Sequence, residues 1–129
     1  MALELSAPIA AFDGGAAEVV YDSTGPFETV KSTTPVAVAS FTMPHEGSII
    51  ATMWFNRGLN TTATSVRGLA VEVGGSRVDA QLSHAAKTDI LSCYGDLPAG
   101  AATILVNCGS NLSSGATTPT RIRVITWRA

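Results

Sequence analysis

The sequence predicts an all-β domain, an antiparallel β-sandwich. Three observations carry that expectation. Eight or nine short runs have the apolar or alternating pattern of strands, turn residues separate them at near-regular spacing, and no window of eleven or more residues holds a helical period. About eight such strands arranged in two packed sheets is the pattern of a jelly roll. At 129 residues the chain has the length of one domain and can bury a core without a metal or disulfide. We read residues 1–16 as an N-terminal arm or edge strand and residues 17–129 as a single sandwich domain.

The elements follow in order. The arm lacks sustained periodicity and ends at Asp13-Gly14-Gly15. Ala17 to Tyr21 and Phe27 to Lys31 are short strand-like runs around Asp22-Ser23-Thr24-Gly25-Pro26, a turn built from backbone-bonding, φ-permissive and φ-fixing residues. Val36 to Thr42 alternates as a strand. Met43-Pro44-His45-Glu46-Gly47 breaks it, and Ser48 to Asn56 resumes. That strand places Ile49, Ala51, Met53 and Phe55 on one face and Ile50, Thr52 and Trp54 on the other, a pattern that predicts cover on both sides. Arg57 to Ser65 is a polar loop. Val66 to Val73 and Ser76 to Leu82 form a hairpin about Gly74-Gly75, for which a type I′ turn with two positive φ angles is expected. In the first of these strands Leu69, Val71 and Val73 share a face, with Arg67 and Glu72 near the other.

Ser83 to Thr88 is a connection and Asp89 to Tyr94 a strand. Gly95 to Gly100 is a turn, Ala102 to Cys108 a strand, and Gly109 to Pro119 a long surface loop. Arg121 to Arg128 closes the domain, with Ile122 and Val124 on one face and Ile125 and Trp127 on the other. If a hairpin turns at Leu97 to Gly100, Cys93 lies near Ile104 and not near Cys108. The two cysteines then read as buried free thiols.

Composition excludes several function classes. Net charge is −2, with no basic stripe, so nucleic acid is not an expected partner. The longest uncharged apolar run, Ser48 to Phe55, is too short to cross a bilayer as a helix, so no membrane partner is expected either. The N-terminus carries Glu4 and no basic region, which predicts a chain made in a cytoplasm without a Sec signal. His45 and His84 fall in a turn and a connection, and no nucleophile elbow, phosphate loop or zinc-binding helix motif accompanies them. No catalytic residue, cofactor or metal site is therefore expected. Asp13, Asp22, Asp79, Asp89 and Asp96 are scattered, without calcium-loop spacing. Asn60-Thr61-Thr62 and Asn111-Leu112-Ser113 match the glycosylation sequon, which a cytoplasmic product would not use.

Hydrophobic residues make up 46% of the chain but charged residues only 14%, a balance suited to life against other protein surfaces. Trp54, Tyr94 and Trp127 are the notable aromatics, candidates for the core, a sugar platform or a subunit interface. If the strands at 48–56 and 121–128 lie in one sheet, Ile50, Trp54, Ile125 and Trp127 share a face. That patch is the candidate oligomer interface, since monomers rarely expose contiguous apolar area of that size.

Met43-Pro44-His45-Glu46-Gly47-Ser48-Ile49-Ile50-Ala51-Thr52 and Asp96-Leu97-Pro98-Ala99-Gly100-Ala101-Ala102-Thr103-Ile104-Leu105-Val106 each enter a strand through Pro and Gly. The second is similar to the L-P-A-G-x-x-T-I pattern of jelly-roll modules, and the 69–80 hairpin resembles a unit of the same group. These modules include C1q/TNF-like domains, carbohydrate-binding sandwiches and small jelly-roll proteins of tailed-phage virions. Low charge and the abundance of Thr, Ser, Ala and Gly favour the last. The resemblance implies a non-enzymatic virion protein made in the host cytoplasm. It would be a capsid decoration (cement) protein that binds the major capsid protein lattice as a homotrimer. The alternative it implies is a carbohydrate-binding or receptor-binding tip that meets a surface glycan through loops 57–65 and 109–119.

Overall fold

The computed structural model describes residues 16–57, 66–83, 89–108 and 117–128. Eight strands are present: β1 (Glu18–Ser23), β2 (Val36–Met43), β3 (Gly47–Arg57), β4 (Val66–Val73), β5 (Ser76–Ser83), β6 (Ile90–Leu97), β7 (Gly100–Cys108) and β8 (Thr117–Trp127). They form two four-stranded antiparallel sheets, ordered β1-β8-β3-β6 and β2-β7-β4-β5. Only the β4–β5 hairpin stays within one sheet. Every other connection passes from one sheet to the other, so the chain winds around the sandwich as a jelly roll.

The core lies between the sheets and follows the period of two. Ile49, Ala51, Met53 and Phe55 of β3 and Ile122 and Val124 of β8 point inward. They meet Leu69, Val71 and Val73 of β4 and Ala102, Ile104 and Val106 of β7, all buried. Cys93 and Cys108 are buried and not joined in a disulfide. Burial, and after it the charge of Asp79, pushes the Cys93 thiol up to about 12.

Two irregularities shape the first sheet. In β1 the register slips between Val19 and Tyr21, so Val19 pairs with Ile125 and Tyr21 with Val124. This bulge turns Tyr21 toward the core, where its ring meets that of Phe41 at 6.1 Å, and leaves both Val19 and Asp22 on the outer face. In β8 the register slips where Trp54 pairs with Arg121 and Phe55 with Pro119. A bulge is one of the few places a sheet tolerates proline.

Several expectations need correction. The Leu97–Gly100 segment is not a hairpin turn: β6 pairs with β3 and β7 with β2 and β4, so the segment is an arch between sheets. Gly95, Asp96 and Leu97 continue β6 rather than turning, and β8 begins at Thr117, inside the stretch expected to be loop. Phe27 to Lys31 is no strand; Val30 alone forms a bridge, to Thr117. Of the hairpin glycines Gly74 takes positive φ (57°), one such angle where a type I′ turn needs two. Arg67 is buried because it shares parity with Leu69 and Val71. The arm, the loops at 58–65 and 109–116, and His84 lie outside the described residues.

Ile49 is fully buried whereas its neighbour Ile50 is 40% exposed. Ile49→Ala should therefore cost about 2–5 kcal/mol in a urea melt, and Ile50→Ala at most about 1 kcal/mol.

Candidate functional site

The two outer faces of the sandwich differ in chemistry. Across the second sheet, one cross-strand row reads Ser40, Thr103, Glu72 and Arg77, with Arg77 and Glu72 joined at 3.0 Å. That row is polar, and the next reads Ala37, Leu105, Ala70 and Asp79. Across the first sheet, the corresponding kind of row reads Val19, Ile125, Ile50 and Tyr94. Val19 is 56% exposed and Tyr94 79% exposed. Four strands thus offer water a continuous apolar stripe.

The stripe has a polar row on one side. Asp22, Arg123, Thr52 and Ser92 follow one another across β1, β8, β3 and β6, and the Thr52 and Ser92 hydroxyl oxygens lie 3.0 Å apart. Beyond it come Arg121, Trp54 and Ile90. The guanidinium groups of Arg121 and Arg123 both lie over the Trp54 ring, 5.0 and 5.5 Å from its centroid. Arg121 also donates two hydrogen bonds to Asp22, Nε to Oδ1 at 3.0 Å and Nη2 to Oδ2 at 2.8 Å. This fork-to-carboxylate pairing holds the Asp22 carboxyl below its ordinary value and raises the Arg121 guanidinium.

On the other side of the stripe lie Trp127, Ser48 and Asp96. The Ser48 hydroxyl donates to Asp96 Oδ1 at 2.6 Å and so orients that carboxylate. Trp127, Tyr94, Ile50 and Asp96 help line an open cleft of about 220 Å³. At the same end Gly47 passes under the chain: a β-carbon there would collide with the Trp127 carbonyl oxygen, so only glycine lets β8 run to its end beside β3.

The structure therefore brings Ile50, Trp54, Ile125 and Trp127 onto one outer face. Ile50 pairs directly with Ile125, while Trp54 and Trp127 stand at opposite ends of it. The expectation that β3 is covered on both sides is not met within the chain: its inner side chains are buried and Ile50 is exposed. Sequence reasoning missed the two arginines over Trp54. Their parity with Ile125 and Trp127 was readable in Arg121-Ile122-Arg123-Val124-Ile125-Thr126-Trp127. Their position opposite Trp54 was not, because it follows from the β3–β8 register.

Among the described residues no group of three or more His, Cys, Asp or Glu side chains is placed to hold a metal ion. His45 sits in the β2–β3 turn, with Nδ1 3.0 Å from the Glu46 carbonyl oxygen and Nε2 3.4 Å from Glu18. No helix among the described residues is long and apolar enough to cross a membrane.

Asp22 has a depressed pKa, so its interaction with Arg121 is complete above the ordinary carboxylate range and fades as pH falls through the lowered value. Arg121→Gln should return the Asp22 titration toward 3.8, followed by carboxyl chemical shifts in NMR. An unmoved titration would mean that the ion pair is not formed in solution.

No family model matches the chain, and no curated protein matches it. Solved structures do share its architecture. A mutant xylanase 10C from Cellvibrio japonicus, in complex with xylopentaose, superposes with a TM-score of 0.57 at 11% identity over 84% of this chain. The chain spans only 24% of that xylanase. The PRD1 vertex protein P5 superposes with a TM-score of 0.51 at 10% identity over 87% of this chain and 94% of its own. At such identities the likeness concerns the fold, and the fold of this chain is that of an eight-stranded jelly roll.

Proposed function

We propose that this protein is a non-enzymatic structural component of a tailed-phage virion, a capsid decoration protein that self-associates and binds the head lattice. The observation that carries the reading is the apolar outer face of the first sheet. Its stripe of Val19, Ile125, Ile50 and Tyr94 crosses all four strands, with a tryptophan beyond either side. A face of that kind is stabilised by burial against protein, and a closed oligomer is the common way to bury it. Ile50, Trp54, Ile125 and Trp127 are the residues we assign to the contact between copies, and a homotrimer is the expected state. A decoration protein adds buried area across capsomer junctions, so the shell gains stability by mass action as its sites fill. The name of the PRD1 vertex protein, which shares this architecture along most of both chains, is in keeping with such a role.

Light scattering at micromolar concentration should give about three times the 13.3 kDa chain mass. Ile50→Arg, which adds a charge at the centre of the face, should reduce it to the mass of one chain. Sedimentation with mature phage heads should carry the wild-type protein into the pellet in a fixed ratio to the major capsid protein. Protein that stays in the supernatant of its own phage's heads counts against the capsid reading.

One observation favours a second reading, a carbohydrate-binding or receptor-binding module. The cleft between Trp127 and Tyr94 has an oriented carboxylate, Asp96, at its end, a layout that can stack a sugar ring and accept from its hydroxyls. Both tryptophans of the chain lie on this face, so tryptophan emission reports on its occupancy. A shift in emission with host polysaccharide, abolished by Tyr94→Ala, is expected on this reading; unchanged emission across a polysaccharide panel removes it.

A further inference from the structure

We infer that residues 1–15 dock as an extended segment over the open flank of the sandwich between β1 and β2 of their own chain. This contact lies apart from the outer face of the first sheet and does not rest on the self-association reading.

The two flanks of the sandwich are built differently. On one, β6 and β5 touch directly: Gly95 lies so near Val78 that a β-carbon there would collide with it. On the other, the edge strands β1 and β2 face each other across a gap. The rings of Tyr21 and Phe41 meet across it at 6.1 Å, and Val20, Phe27, Val38 and Ala39 are only partly buried. Val36 is the clearest case. It pairs with the buried Val106 and so points to the inside of the sandwich, yet it is 41% exposed. Inward side chains in a closed core lose nearly all contact with water, so this flank is open. A groove of about 450 Å³ lies here, between the 26–31 segment and Val36, Ala37 and Val38. Among the described residues β2 pairs with β7 alone, and its other edge offers backbone groups to an incoming chain.

The chain holds a matching segment in the right place. Residues 1–15 lie outside the described residues and lead directly into β1. Nine of residues 1–12 are apolar, and Glu4 is their one charged side chain. Leu3, Leu5, Ala7 and Ile9 alternate with Glu4, Ser6 and Pro8, so an extended backbone turns the apolar set to one side. Left in water, that set would be a liability; laid on the seam, it covers Val36 and the half-buried aromatics.

The distances allow it. β1 begins where β2 ends, since His45, just beyond β2, has Nε2 3.4 Å from Glu18 at the start of β1. The gap between packed sheets is about 10 Å, and twelve extended residues reach about 40 Å against roughly 27 Å for a strand the length of β2. Asp13-Gly14-Gly15 supplies the residues for a reversal. Followed back from β1, the segment then passes from Met43 toward Val36. Its tether to β1 keeps it at high local concentration on this flank, which favours its own seam over that of another copy.

The test uses the full chain with a nitroxide at Ile9→Cys. Cys93 and Cys108 are buried, which leaves the introduced thiol as the reactive one. In NMR of isotope-labelled, nitroxide-bearing protein mixed with excess unlabelled wild type, amide broadening should be strongest from Val36 to Phe41. Broadening centred on any other surface, or confined to the residues around Glu18, overturns the docking. Broadening of β2 only when nitroxide and isotope sit on different copies shows exchange between chains and overturns the contact within one. Val36→Asp places a charge at the inward position of the seam and should raise subtilisin cleavage within residues 1–15 about tenfold. Cleavage at the wild-type rate also overturns the proposal. Circular dichroism checks that each variant is folded, and Leu5→Cys and Val36→Asn replace any that is not.

Discussion

The structure depends on β3 and on how its two faces are used. It lies between β8 and β6 in the first sheet and supplies Ile49, Met53 and Phe55 to the core at 0–2% exposure. A strand in that position is fixed by two ladders, and a slip of one residue would exchange Ile49, Met53 and Phe55 for Ile50, Thr52 and Trp54. In most half-buried strands the penalty against that slip comes from polar residues on the wet face. Here the wet face carries Ile50 and Trp54 alongside Ser48 and Thr52, so the contrast between the faces is reduced. The register has to be held by the neighbours. Gly47 admits the Trp127 carbonyl, Thr126 donates from its hydroxyl to the Ser48 carbonyl at 2.8 Å, and Ser48 donates to Asp96. All three lie at the end of β3 where Trp127 and the cleft are found. The pins that align the sheet are therefore the same groups that shape the candidate site.

The bulges carry a comparable double duty. Without the slip at Val20, alternation along β1 would send Asp22 inward and Tyr21 out. The bulge reverses both, giving the core an aromatic partner for Phe41 and giving Arg121 its carboxylate. Arg121, tied to β1 through Asp22 and to β3 through Trp54, bridges the edge strand to the centre of the sheet. The edge strand is only six residues long, and short edges limit unwanted sheet extension. A lateral tie on its outer surface compensates for the few ladder bonds such a strand can make. This assigns Arg121 to the integrity of the face.

Much of this is legible in the sequence alone. The β4–β5 hairpin, the inward set of β3 and the split of β8 into Ile122 and Val124 against Ile125 and Trp127 follow from a period of two, which local sequence states directly. What local sequence does not state is which sheet a strand joins. Leu97-Pro98-Ala99-Gly100 has turn composition whether it closes a hairpin or arches between sheets, and only the strand pairings show that it is an arch. Arg67 departs from expectation for a different reason: its charge points to water, but its parity with Leu69 and Val71 places it inside. The shared face of Ile50, Trp54, Ile125 and Trp127 was legible because it needed only alternation and one pairing. The stack of arginines on Trp54 and the burial of Tyr21 needed two registers and a bulge, and no pattern in a single strand reports those.

The arrangement around Trp54 bears on which partner the face suits. A tryptophan that stacks on sugar needs one ring face open to the approaching ligand. Two guanidinium groups already lie over the Trp54 ring, and one of them is anchored by two hydrogen bonds to Asp22. Tyr94 and Trp127 remain for a sugar, on one corner of the face. The stripe of Val19, Ile125 and Ile50 beside them offers a saccharide no hydrogen bonds and offers a protein surface its apolar area. Guanidinium planes stacked on an aromatic ring are also more weakly hydrated than an ammonium would be and lose less on entering an interface. The distribution of chemistry over the whole face, rather than any one aromatic residue, is the ground on which we propose a second protein surface as its partner.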